Sequence, residues 1–157
     1  MSNSPIRFTC KPYSGLSLDE LYELMVLRQR VFVVEQACAY QDADGRDKDA
    51  YHLVGQDEDG RLVAYARLLP GGAPHADRCF IGRIVTHPDY RGKGIGAQLL
   101  QQSIEHCQRL FGDARSIWLS AQVHLTDWYG RFGFVPSGKA YLEDGIPHIQ
   151  LKMKNEK

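Results

Sequence analysis

Residues 81–96, Ile-Gly-Arg-Ile-Val-Thr-His-Pro-Asp-Tyr-Arg-Gly-Lys-Gly-Ile-Gly, constrain this chain more than any other stretch. The β-branched run Ile84-Val85-Thr86 reads as a strand and halts at the turn signal His87-Pro88-Asp89. Gly92, Gly94 and Gly96 follow at alternate positions, and behind them an amphipathic helix begins. The N–H groups of a helix's first turn lack intrahelical partners and carry partial positive charge, so they attract phosphate. Glycine lets a phosphate approach that backbone closely, and Arg91 and Lys93 add charge. The stretch is therefore predicted to hold a pyrophosphate.

Spacing separates the loops that do this. A P-loop needs Ser or Thr after its Gly-Lys to ligate magnesium, and here Gly94 follows Lys93. Gly92, Gly94 and Ala97 fit a loose dinucleotide spacing, but that fingerprint puts the strand directly against the first glycine and an acidic residue at the next strand's end. Here several residues intervene, and the next strand-like run, Ile117-Trp118-Leu119-Ser120-Ala121, ends in Gln122.

The pattern either side of the loop predicts an α+β domain. Ile6, Phe8 and Cys10 alternate with polar residues, as a first strand should. Ser17 and Glu20 form a capping box for a helix running to about Phe32, with Arg28 expected at the edge of its apolar stripe. Residues 38–49 read as an acidic loop carrying Asp42, Asp44, Asp47 and Asp49, either solvated or forming a wall that attracts a cationic amine. Residues 52–56 and 61–69 make a hairpin whose second strand is apolar on both faces, hence central. Ile95, Leu99, Leu100, Ile104, Cys107, Leu110 and Phe111 form a helical stripe stopped by Gly112. A short helix over about 125–132, a strand at Phe134-Val135, a turn-rich segment at 141–147 and a last strand from His148 complete the pattern. The ends, 1–4 and 155–157, are expected to fray.

A chain of 157 residues suits one domain over 1–157. Lys and Arg together number 19, matching the 19 Asp and Glu, so no basic excess points to nucleic acid or to a membrane surface. No apolar run would span a bilayer, and no secretory signal is visible at the N-terminus. Cys10, Cys38, Cys79 and Cys107 show no metal-ligand spacing, so no metal is expected and a reducing, cytoplasmic setting is.

Arg91-Gly92-Lys93-Gly94-Ile95-Gly96, placed after Ile84-Val85-Thr86-His87-Pro88, resembles the acyl-CoA-binding motif of the GNAT N-acyltransferases. The segment from Gln122 to Phe134 resembles that family's second motif, with Tyr129 at its general-acid position and Gln122 where many members have Asn. Four further segments resemble the ElaA-type branch: Val31-Phe32-Val33-Val34-Glu35-Gln36, the Asp42-x-Asp44-Gly45-x-Asp47 region, Ala64-Tyr65-Ala66-Arg67 and Glu143-Asp144-Gly145-Ile146-Pro147-His148-Ile149. The resemblance covers roughly Leu16 to Met153.

The resemblance implies a GNAT-like fold, a mostly antiparallel mixed sheet with helices on both faces. It implies transfer of acetyl from acetyl-CoA to an amine of a small molecule or peptide; a non-catalytic acyl-CoA-binding sensor is the alternative. The amides of residues 91–96 would hold the coenzyme's pyrophosphate. Ile84, Val85 and Thr86 would pair with its pantetheine arm and stabilise the oxyanion, and Gln122 would stand beside them. Tyr129 would protonate the leaving thiolate. Glu35, His52 and His148 are candidate bases, imidazole by its intrinsic acidity and Glu35 if burial tunes it upward. Asp42, Asp44 and Glu35 could receive a cationic acceptor. Arg67 and Arg83, cations in apolar strands, either pair with Glu35 or a loop aspartate or bind a substrate carboxylate. The acceptor stays open, as does a homodimer.

Overall fold

The alternating segments assemble into one eight-stranded sheet. The computed structural model describes residues 5–72, 74–112 and 115–153, so the ends expected to fray lie outside the described residues. In chain order the elements are β1 (Arg7–Pro12), α1 (Leu18–Arg28), β2 (Tyr51–Gln56), β3 (Leu62–Pro70), β4 (Arg78–Thr86) and α2 (Ile95–Phe111). Then come β5 (Ser116–Gln122), α3 (Thr126–Gly130), β6 (Phe134–Pro136), β7 (Tyr141–Glu143) and β8 (Ile146–Met153). The strands lie in the order β1-β2-β3-β4-β5-β8-β6, with β7 also on β8. Of these pairings β4 with β5 is parallel, with α2 as its crossover, and the rest are antiparallel. One mixed, mostly antiparallel sheet with helices on both faces makes this an α+β fold.

Each sheet face has its own core. On one side α2 lays Ile95, Leu99, Leu100, Ile104 and Cys107 over Leu53, Ala66, Leu68, Cys79, Ile81 and Leu119. On the other, Leu24, Leu27 and Val31 cover Val54, Leu62, Tyr65 and Val85. β3 contributes to both, which is why its sequence is apolar on both faces. Leu110, expected in the α2 stripe, is 37 % exposed at the helix's last turn. Gly112 ends that helix at φ +86°, as a residue without Cβ can.

Three expectations need correction. The first helix does not stay α-helical to Phe32: α1 ends at Arg28 and Gln29–Glu35 is a π-helical turn. The capping box is as expected, with Ser17 Oγ accepting from Glu20 N and Ser17 N donating to Glu20 Oε1. Arg28 does not lie at the edge of the stripe; it is fully buried. The turn-rich segment contains a strand, β7, joined to β8 by Asp144 (φ +52°) and Gly145 (φ +80°). Two positive φ values in succession make the tight hairpin turn for which Asp-Gly is the usual pair.

Candidate active site

β4 and β5 pair only at Arg78↔Ser116, Cys79↔Ile117 and Phe80↔Trp118, and then part. A bulge in β4 goes with the parting. Against β3, Arg67 faces Gly82 and Tyr65 faces Val85, so three steps on β4 match two on β3. The extra residue includes Arg83, a non-glycine at φ +52°, and such bulges bend their strand. Beyond Phe80, the edges of β4 and β5 that would have faced each other keep backbone groups free for a ligand.

The gap is a cleft of about 260 Å³. β4 lines it with Gly82, Arg83 and Ile84, and β5 with Ser120, Ala121 and Gln122. Leu125 and Tyr129 close one end, Gln36, Cys38 and Tyr40 come from the segment after the π-helical turn, and Glu143, Asp144, Ile146 and His148 come from the β7–β8 hairpin. Ile84, Gln122, Tyr129, His148 and Arg83 are thus brought together. Val85 is buried against α1, and Thr86 ends the strand.

At the end of β4 a 3₁₀ turn over Pro88–Tyr90 leads to the glycine loop. Gly92 and Gly94 stand at φ +80° and +78°, and a Cβ on either would project into open space. Gly94 is the N-cap of α2 and offers its first-turn amides no side-chain acceptor. Backbone donors with open space before them fit a pyrophosphate, so the residues present suit a coenzyme A group. Lys93 lies over the Tyr90 ring at 5.2 Å, while Arg91 is held by Glu35 through hydrogen bonds of 2.8 and 2.6 Å.

That ion pair bears on Glu35. Its carboxyl is held below the usual range, chiefly by the Arg91 hydrogen bonds, so the upward tuning by burial that would suit a base is not there. Glu35 is solvent-exposed and does not line the cleft. Nor does His52, which is fully buried, with Tyr65 Oη at 2.6 Å from Nδ1 and the Asp47 carbonyl at 2.8 Å from Nε2. A carbonyl can only accept, so Nε2 carries the proton and Nδ1 takes the Tyr65 hydrogen bond. Burial above all depresses its basicity.

His148 differs. Its Nδ1 lies 2.8 Å from the Ile146 carbonyl, which only accepts, so Nδ1 carries the proton and neutral His148 keeps its lone pair on Nε2. Register places His148 opposite Gln122 on one side and Tyr141 on the other, and the Tyr141 ring stacks on it. Tyr141 Oη is itself hydrogen-bonded to Ser120 Oγ. Tyr129 is buried, in edge contact with Trp128 and Phe134, and desolvation pushes its phenol up to about 12. It therefore keeps its proton at neutral pH.

Asp42 and Asp47 of the acidic loop are buried, and these two and Asp44 are held by arginines, so they are not free to draw in a cation; Asp49 stays exposed. Arg28 donates from Nε to Asp42 at 2.7 Å and from Nη1 to Asp47 at 2.8 Å. Arg67 binds Asp44 at 2.8 and 2.9 Å and Asp47 at 3.0 Å. Arg83 reaches Asp42 at 2.8 Å and Asp44 at 3.4 Å. Three arginines meet three aspartates, so Arg67 and Arg83 pair with the loop and neither pairs with Glu35. Burial alone would raise the Asp44 and Asp47 carboxyls, but the arginines outweigh it and hold both low. The network ties Arg83, on the bulge, to the buried end of α1.

Glu143, absent from the expected site residues, lines the cleft, with Oε2 3.6 Å from His148 Nε2. An Asp-Gly pair flanked by strand-forming residues was the signal that could have placed it on a hairpin. Among the described residues no group of side chains could hold a metal, and no helix is long and apolar enough to cross a membrane.

Residues 18–155 match the family model of the acetyltransferase (GNAT) domain. The chain belongs to the GNAT acetyltransferases, in the ElaA-type branch. Protein ElaA of Escherichia coli is 44 % identical over 141 residues, 88 % of this chain and 90 % of that one. The crystal structure of Escherichia coli ElaA superposes with a TM-score of 0.87, covering 96 % of this chain and 100 % of that chain at 40 % identity. An acyl-CoA N-acyltransferase from Pseudomonas aeruginosa superposes with a TM-score of 0.88 at 44 % identity, covering 95 % of this chain and 99 % of that chain. Acyl transfer is accordingly the chemistry of this GNAT domain.

Proposed function

We propose that this ElaA-type protein is an N-acetyltransferase that moves acetyl from acetyl-CoA directly to a primary amine. The observation that carries the proposal is the cleft between parted β4 and β5, where Tyr129 and His148 line the same walls as free strand edges. A sensor of acyl-CoA would need the glycine loop alone. The four free cysteines accord with a cytoplasmic, reducing setting.

The glycine loop and the first-turn amides of α2 would hold the pyrophosphate, with Arg91 released from Glu35 or shared with it. The backbone of Ile84 to Thr86 would hold the pantetheine arm, and Gln122 faces it from β5. When bound, acetyl-CoA supplies the acetyl group as a thioester, which a neutral amine can attack. An alkyl amine reaches the protein as an ammonium, and His148 Nε2 takes its proton, directly or through water. Backbone N–H groups at Ile84 to Thr86 receive the charge that gathers on the carbonyl oxygen. Tyr129 offers its hydroxyl hydrogen to the departing sulfur. A thiol loses its proton near pH 8.5, far below about 12 for this phenol. Tyr129 thus serves as a hydrogen-bond donor to the sulfur, and complete transfer of its proton is uphill.

The test is thiol release from acetyl-CoA across a panel of amines, with the product weighed by mass spectrometry. We expect release that depends on the amine and a product heavier by one acetyl group. Release without amine would indicate hydrolysis or background instead of amine transfer, and no release with any amine alongside intact coenzyme binding would return the sensor reading.

A further inference from the structure

A second cleft, of about 570 Å³, adjoins the first. The two share Ile81, Gly82, Arg83, Ser120 and Glu143, so they meet across the mouth of the β4–β5 gap. Leu69 and Phe80, both partly exposed, give the second cleft an apolar patch, while Ile81 and Leu119 lie buried behind it and His75 adds a polar side chain. Its arginines at the junction are spent: Arg83 is taken by Asp42 and Asp44, and Arg67 by Asp44 and Asp47. Arg67 Nε has no acceptor, but it is sealed from solvent. Arg46 and Asp49, one of each sign, are exposed on the cleft's wall.

Among the described residues, Glu143 is a charged side chain at the junction with no arginine or lysine paired to it. It is about half exposed, and its polar neighbour is His148 Nε2 at 3.6 Å. A carboxylate beside a basic nitrogen, adjoining a cleft with an apolar patch at Leu69 and Phe80, selects for one kind of acceptor. We propose that Glu143 is the acceptor-recognising residue, that the 570 Å³ cleft receives the acceptor's apolar tail, and that the preferred substrate is a primary alkyl amine with no carboxylate beside the amine. This rests on the acetyltransferase reading above. Glu143 pairs with the ammonium and holds it where His148 Nε2 takes the proton. A carboxylate on the same carbon meets Glu143 as a like charge, and no free guanidinium at the junction compensates it.

Two amines that differ only in that carboxylate make the test: n-pentylamine and norleucine. The wild-type protein should favour n-pentylamine in kcat/KM. Glu143→Gln keeps the size of the side chain and removes its charge. It should raise the KM for n-pentylamine by about five- to tenfold, the worth of a partly exposed charge-assisted contact. The KM for acetyl-CoA should stay unchanged, and the preference over norleucine should shrink by a similar factor. Calorimetric titration of n-pentylamine into the protein saturated with CoA reads the same contact without chemistry, and binding should weaken to match. Absence of all turnover would count against the acetyltransferase reading, while the titration into the CoA complex would still report on Glu143. A wild-type preference for norleucine, or equal n-pentylamine affinity in both proteins, overturns the assignment.

Discussion

Arg28→Met should lower the melting temperature by about 10 °C, although the residue lies far along the chain from the glycine loop. Arg28 is fully buried, and Asp42 and Asp47 take its hydrogen bonds at 2.7 and 2.8 Å. Methionine fills much of the volume but leaves two largely buried carboxylates short of their cation. Removing one partner of such a set costs about 3–5 kcal/mol, and a domain of this size loses about 2–4 °C per kcal/mol. Thermal melting followed by circular dichroism measures it; an exposed arginine at a stripe edge would cost about 1 kcal/mol at most. The sign of the pH dependence follows from the depressed carboxyls. Asp44 and Asp47 titrate lower folded than unfolded, so their stabilisation is present above the ordinary carboxylate value of about 4 and fades as pH falls below it. Arg28→Met should weaken that dependence, because Asp47 loses a cation that holds it low. Asp42 also carries Arg83 on the β4 bulge, so acetyl-CoA affinity should fall in the surviving folded protein.

His148→Gln should cost more in turnover than Tyr129→Phe. A positioned base contributes about 10²–10⁴-fold, and at neutral pH an alkyl ammonium cannot attack until it has lost a proton. A thiolate is already a fair leaving group, so a single hydrogen bond to sulfur is worth less, about tenfold. Both substitutions should leave acetyl-CoA affinity nearly unchanged, since each group acts on charge that moves in the transition state. A specific readout separates base loss from disturbance of the β7–β8 hairpin. In His148→Gln, kcat/KM should climb tenfold per pH unit until the free amine itself dominates in solution, because hydroxide and bulk water replace the lost base. A variant with parental turnover and an unaltered pH profile would remove His148 from the chemistry.

The fold was legible where one period dominated. β3 read as central because both its faces were apolar, and α2 read as amphipathic because its stripe repeated at helical spacing. Arg28 was misplaced because periodicity assigns a face, while burial of a charge depends on partners from other elements. Here those are Asp42 and Asp47, which arrive from a segment without periodicity. Three of the loop's four aspartates were misread for the same reason, since Asp42, Asp44 and Asp47 look solvated until three arginines from α1, β3 and β4 converge on them. The three base candidates looked alike in sequence. Their differences lie in hydrogen-bond partners: Arg91 for Glu35, Tyr65 and the Asp47 carbonyl for His52, and the Ile146 carbonyl for His148. Glu143 was passed over because β7 is three residues long, too short for alternation to register, and the Asp-Gly turn was its visible trace.

Catalysis at this site requires a coenzyme A group seated in the glycine loop, and differential melting with CoA tests that most directly. At about a hundredfold excess over its dissociation constant, CoA should add about 2.7 kcal/mol, or about 5–10 °C for a domain of this size. Gly94→Val puts a branched side chain where Gly94 stands at φ +78° over open space. It should abolish the shift, after its own melting point without ligand has been set as the baseline. NADH should produce no shift in either protein. A CoA shift that survives in Gly94→Val at full size, or one that NADH reproduces, would contradict the account.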